Sequence, residues 1–207
     1  MNQMPLADGK YLKPSKETRV LAILDSLATE SDLSQYELGR RLKLSGAMIN
    51  QYLNTLQSER LVEFLPVNGK SFRYVLTPDG DAMRRRMFSD YSSETIRLYS
   101  TVKSFIQNRL RGLKPRGVKR LALFGASETC EVVLSALRES DFIVVALLDN
   151  DPAKHGRNFH GHVVAHPQVL ESLRCDAVVV TSFGKQDEIY EQLKPLCESR
   201  GIDIMRF

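Results

Sequence analysis

The chain has 207 residues, 43% hydrophobic and 26% charged, with a net charge of +4, a composition that fits two modest globular domains and excludes disordered or fibrous classes. No apolar run approaches the ~20 residues of a membrane span, and MNQMPLADGKYLKPSKE at the start lacks the apolar core of a secretory signal. A cytoplasmic protein without membrane contact is therefore expected. The charge is unevenly divided: residues 1–117 carry 19 Lys/Arg against 12 Asp/Glu, and residues 118–207 carry 10 against 13. The basic excess lies in the first half, where neutralisation of phosphate would use it. Cys130, Cys175 and Cys197 are odd in number and widely spaced, which argues against a disulfide framework or a zinc finger.

In chain order, Ser15 is placed to cap a first helix running to about Ser26, with Val20, Leu21, Ile23, Leu24 and Leu27 as its apolar stripe. Ser34-Gln35-Tyr36-Glu37 is a capping-box match that opens a second helix, buried through Leu38, Leu42 and Leu44. A tight Ser-Gly turn then leads into a third helix, capped by Ser45 and running to about Glu59, with Ile49, Leu53 and Leu56 inward. Its other face holds Ala47, Asn50, Gln51, Asn54 and Thr55, an uncharged, amide-rich surface suited to the donor and acceptor pair on an adenine edge. Two β-prone runs, Leu61 to Val67 and Ser71 to Thr77, flank Asn68-Gly69, a type I′ turn signal. Lys70 and Arg73 lie at or near that tip, where they could meet a phosphate or a minor groove. Helix, turn, helix, hairpin is the order of a winged helix-turn-helix. Thr77-Pro78 starts a further helix, and Arg84-Arg85-Arg86 on it reads first as a solvated face. Ser92 to Leu113 reads as a long helix with a stripe of Ile96, Tyr99, Val102, Phe105, Ile106 and Leu110 that needs burial, in a dimer or against the second half.

Leu44-Ser45, Asn50, Leu53, Leu56, Leu61-Val62 and above all Tyr74-Val75-Leu76-Thr77-Pro78-Asp79-Gly80 resemble the MarR-type winged-helix regulators, in particular the branch associated with exopolysaccharide gene clusters. The resemblance covers roughly residues 18–90. It implies that Ser45, Ala47, Met48, Asn50 and Gln51 lie where such proteins contact bases, with Lys70 and Arg73 on the wing. Arg60 departs from the pattern, because the family usually has a glycine there.

After the linker Lys114-Pro115-Arg116-Gly117, strands are expected at Val118–Phe124, Phe142–Leu148, Ala177–Val180 and Ile202–Phe207. Helices are expected after Gly125 to about Glu139, at Pro167–Leu173 and at Lys185–Ser199. Alternating strands and helices mean a parallel sheet with helices packed on it, a small Rossmann-like unit. Gly125, Ala126 and Ser127 would form the turn at a helix N-terminus, where backbone donors favour phosphate. Asp149 ends the second strand, near the position of the acid that holds a ribose in dinucleotide sites, and Thr181-Ser182 would face the same crevice. The glycine pattern is degraded to Gly125-x-Ser127-x-x-Cys130. LLDNDPAKHGRNFHGHVV resembles the corresponding stretch of sugar-nucleotide-related Rossmann-like domains. The two-domain order resembles the Rex redox repressors, which pair a winged helix with an NADH-binding domain.

The fold expected is thus α/β plus winged helix: a winged helix-turn-helix over residues 1–90, a linker and dimerisation helix over 91–117, and a Rossmann-like ligand domain over 118–207. The function expected is a dimeric transcriptional regulator that binds double-stranded DNA and senses a nucleotide or nucleotide-sugar-like effector, with no catalytic or metal residues. The alternatives are an NAD(H)-responsive Rex-like repressor, a nucleotide-sugar enzyme fused to a DNA-binding domain, and a purely structural second half. His155, His160, His162 and His166 fit no familiar ligand spacing and are read as polar loop residues. Cys130 is read as a packed thiol before a redox sensor.

Overall fold

Serine side chains begin each of the first three helices, because the free N–H groups of a first turn need an acceptor. The computed structural model describes residues 12–30, 33–68 and 71–207, and the chain divides into units Met1–Arg97 and Leu98–Phe207. In the first unit, α1 (Lys16–Thr29) has Ser15 Oγ accepting from Thr18 N at 3.2 Å. Helix α2 (Gln35–Leu42) carries the complete capping box, with Glu37 N donating to Ser34 Oγ and Ser34 N to Glu37 Oε2. Helix α3 (Gly46–Ser58) starts at Ser45, whose Oγ accepts from Met48 N. The turn between α2 and α3 hinges two residues before the expected Ser-Gly pair: Lys43 is left-handed at φ 54, and Leu44 N donates to Gly39 O. Ile23, Leu24, Leu38, Ile49, Leu53 and Leu56 form a fully buried core from all three helices.

The hairpin follows as β1 (Val62–Asn68) and β2 (Ser71–Leu76), paired antiparallel from Val62 opposite Leu76 to Asn68 opposite Ser71. Its tip, Gly69-Lys70, lies outside the described residues. The Thr-Pro-x-Gly segment after it is a joint with a definite physical job. Thr77 Oγ1 donates to the carbonyl of Arg60 at 2.8 Å and accepts from Gly80 N at 2.9 Å, and Thr77 N donates to Leu61 O. Gly80 lies so close to this loop that a Cβ would sit 2.0 Å from Leu61 O.

Helix α4 (Pro78–Arg111) is one helix of 34 residues where two were expected. No Gly or Pro interrupts it between Asp81 and Arg111, so nothing in the backbone stops it. The expected stripe divides: Ile106 and Leu110 are buried in the second unit's core, whereas Ile96, Tyr99, Val102 and Phe105 are exposed. Arg84 and Arg85 both pair with Asp81, and Arg84 also reaches Asp25 at 3.3 Å.

Every residue of the second unit is described. Its strands β3 (Arg120–Phe124), β4 (Ile143–Leu148), β5 (Asn158–Phe159), β6 (His162–Ala165), β7 (Ala177–Val180) and β8 (Asp203–Met205) make one sheet in the order β5-β6-β4-β3-β7-β8. All neighbours are parallel except β5 with β6. Alternate residues of the central strands feed two cores. Leu121, Leu123 and Val179 pack with α5 (Glu128–Leu137) and the end of α4, and Ala122, Phe124, Val178 and Val180 pack with α6 (Gln186–Arg200). The expected helix at Pro167–Leu173 is a 3-10 turn, Pro167–Glu171. The strand order reverses between β3 and β7, the switch point at which open α/β sheets have their crevice, outside the carboxyl ends of the strands.

Candidate functional site

Helix α3 presents a face with no charge, since none of the 13 residues from Gly46 to Ser58 is acidic or basic. Ala47, Asn50, Gln51 and Asn54 are exposed, as is Ser45, whereas Met48 is half-buried. Thr55 turns its hydroxyl back to Gln51 O at 3.0 Å. The amides of Asn50, Gln51 and Asn54 are left exposed, each able to donate and accept at once. Gln35 Nε2 donates to Gly46 O and ties the start of α2 to the start of α3. On the wing Arg73 is exposed, and Lys70 lies outside the described residues. Sequence reasoning passed over Tyr36, which is 79% exposed on α2, and Arg40 one turn further along it. An aromatic ring that open on a helix with no apolar role is the signal that could have found it.

The second site is the crevice. Gly125 is left-handed at φ 112, and the three predicted residues Gly125, Ala126 and Ser127 do form the turn into α5. Asp149 is 8% exposed and faces that turn rather than open solvent. Its Oδ2 accepts from Ala126 N at 2.8 Å and from Lys154 Nζ at 2.9 Å, and its Oδ1 accepts from Asp151 N at 2.8 Å. Lys154 Nζ also donates to Ala126 O. Burial alone would raise the Asp149 pKa, but the hydrogen bonds from Lys154, Asp151 N and Ala126 N outweigh it and hold the carboxyl below its ordinary range. On the far wall Thr181 is fully buried, and its hydroxyl donates to Phe124 O and Gly125 O. Ser182 is half-buried beside it. A Cβ on Gly125 would meet Thr181 Oγ1 at 3.2 Å and Ser182 Cβ at 3.3 Å.

The residue types a phosphate or ribose would use are therefore present, and they satisfy one another. Asp149 was expected to offer its oxygens to a ribose; instead both are engaged by the loop. Lys154 is the functional candidate that sequence reasoning missed, and its signal was a lone cation five positions after the acid.

Cys130, at the place of the third fingerprint glycine, is fully buried, and burial pushes its thiol up to about 11. A thiol so placed packs as a small apolar group. The four histidines separate into two pairs. His155 and His166 meet edge-on at 5.3 Å, with His155 Nε2 against Asp149 O. His160 lies 3.6 Å from Glu131, and His162 is its neighbour on the hairpin. Among the described residues no group of His, Cys, Asp and Glu could hold a metal ion, and no helix is long and apolar enough to cross a membrane.

Residues 117–202 match the family model described as C2185-like, N-terminal. Among solved structures the chain is similar to the PcaV transcriptional regulator from Streptomyces coelicolor, at 22% identity over 48% of this chain and 74% of that one, with a TM-score of 0.40. It is similar to a probable transcriptional regulator from Pseudomonas aeruginosa at 23% identity over 53% and 81%, with a TM-score of 0.38. A third likeness is to UDP-D-quinovosamine 4-dehydrogenase from Vibrio fischeri, at 22% identity over 44% of this chain and 78% of that one, with a TM-score of 0.37. No curated protein gives a significant match.

Proposed function

We propose that the protein is a transcriptional regulator that binds double-stranded DNA as a dimer and reads bases with α3. One observation carries this reading: the exposed amides of Asn50, Gln51 and Asn54 on an uncharged helix, the second of a helix-turn-helix pair with a hairpin beside it. A merely solvated helix would carry Lys and Glu, whereas amides pair bidentately with adenine in the major groove. Backbone contacts then come from elsewhere, with Arg40 and Arg73 exposed on α2 and the wing. Two-fold operators require a two-fold reader, and the exposed Leu98, Val102 and Phe105 on α4 offer a surface for the second copy.

The second unit is the effector half on this reading. Its crevice takes a nucleotide or nucleotide-sugar-like molecule whose phosphate must compete with Asp149 for Ala126 N and Lys154. Asp149 holds the loop, and Asp151 Oδ1 accepts from Ala153 N, so both crevice carboxylates serve the backbone; this favours a binding role over turnover. The test is selection of bound sequences from random duplexes. Enrichment of a two-fold motif with half-sites about 10–10.5 base pairs apart, lost in Asn50→Ala, is expected. Retention of all sequences alike would overturn base reading. A thermal-shift series with NADH and nucleotide sugars tests the effector half, and a flat series would remove it.

A further inference from the structure

His160 and His162 belong to neither site above, yet they stand at the mouth of a cavity of about 230 Å³ on the outer face of the second unit. Helix α5 supplies Glu131, Leu134, Leu137 and its C-cap Arg138 to it, while Phe142, just before β4, and Val144 within it complete the lining. Leu134 and Leu137 are nearly fully buried, so the floor is a continuation of the core rather than loose surface. The rim is polar, and its groups differ in how far they are satisfied. Glu131 has His160 at 3.6 Å. The Arg138 guanidinium and the half-buried His162 ring make no hydrogen bond or ion pair among the described residues.

The hairpin tip fixes His160 with some effort. Phe159 pairs with His162, and the two residues between them, His160 at φ 51 and Gly161 at φ 90, are both left-handed. For a non-glycine residue that conformation is unfavourable, because Cβ crowds the neighbouring carbonyl oxygen. Gly161 N donates to Asn158 Oδ1 at 3.0 Å and the His160 ring meets Phe159 edge-on at 4.6 Å, which holds the turn. The strained residue is the one that faces Glu131 across the mouth.

We infer that this cavity binds a small monocarboxylate with an apolar body, the carboxylate on Arg138 and His162 and the body on Leu134, Leu137, Phe142 and Val144. An unpaired planar guanidinium over an apolar floor matches that shape, because its fork takes both carboxylate oxygens. Glu131, beside the same mouth, opposes each negative charge a ligand carries, so a dianionic phosphate monoester is disfavoured more than a monocarboxylate. The volume falls below the ~300–1,000 Å³ of drug-sized sites, which limits the body to one or two rings. The site lies outside the Gly125–Asp149 crevice and does not depend on the DNA-binding reading.

Calorimetric titration of the full chain with 2-naphthoate tests it. Saturable binding at one site per chain is expected, at least tenfold weaker in Arg138→Ala and intermediate in Arg138→Lys. The uncharged 2-naphthalenemethanol should bind wild type at least tenfold more weakly than the acid, and 2-naphthyl phosphate should not surpass the acid. Arg138 is exposed, so its variants should keep the wild-type melting temperature. Absence of saturable 2-naphthoate binding up to millimolar concentration overturns the assignment. Equal affinity of wild type and Arg138→Ala, or of acid and alcohol, does the same.

Discussion

Asn50 is the single residue on which the base-reading proposal concentrates most. Its amide is exposed, with no charged neighbour on its helix. Asn50→Ala should weaken specific operator binding by ~1–3 kcal/mol and leave non-specific DNA affinity unchanged, measured by fluorescence anisotropy on matched duplexes. Equal losses on both duplexes would instead assign Asn50 to fold or phosphate. Asp149 is a residue of the opposite kind, one whose partners are all internal. Its carboxyl is held below the unfolded-state value of ~3.9, so it contributes stability above that value and loses it as pH falls through the window beneath. Urea unfolding at pH 7 and pH 3 should show a fall in stability that is smaller in Asp149→Asn. That variant should also lose about 1–3 kcal/mol at pH 7 from broken hydrogen bonds.

At the scale of elements, the joint between hairpin and α4 explains a sequence pattern in atomic terms. Thr77 clamps the loop at Arg60 and Leu61, Pro78 opens the helix, and Gly80 admits the backbone of Leu61. Gly80→Ala would force a Cβ against a carbonyl oxygen that cannot give way, so a loss of roughly 1–3 kcal/mol is expected in thermal or denaturant unfolding. A neutral result would mean that the loop moves freely. Arg60, at φ 61, adopts the left-handed conformation usually reserved for glycine, and Arg60→Gly should be neutral or stabilising by up to ~1 kcal/mol.

These elements differ in how openly the sequence announces them. The three serine caps and their apolar stripes were legible, because capping and helical period act between residues three or four apart. The β5–β6 hairpin was not, since its strands have two and four residues and its turn is His-Gly in place of the customary Asn-Gly. Nor could the sequence say that Asp149 would turn inward. That outcome depends on Ala126 N and Lys154 converging on one carboxyl oxygen and on Thr181 filling the gap beside Gly125, and the contacts of Ala126 with Asp149 and of Thr181 with Gly125 join residues more than twenty positions apart.

For the whole molecule, the proposed dimer makes the exposed part of α4 a definite target. Phe105 is 50% exposed and Val102 is 36% exposed. Val102→Asp with Phe105→Glu should shift sedimentation from dimer to monomer and lower operator affinity together, and a dimer unchanged by both would place the two-fold contact elsewhere. The absence of charge on α3 has a consequence for how such a regulator changes over time. Attraction to the DNA backbone depends on the number of phosphates neutralised, and α3 supplies no cation to that count. Arg40→Ala should therefore reduce the slope of log affinity against log salt by about 1, while substitutions among Asn50, Gln51 and Asn54 leave the slope where it was. Preference and grip then sit on separate parts of the protein. A new target sequence could be acquired by re-lettering one uncharged helix, with the search along DNA and its sensitivity to the ionic medium inherited intact.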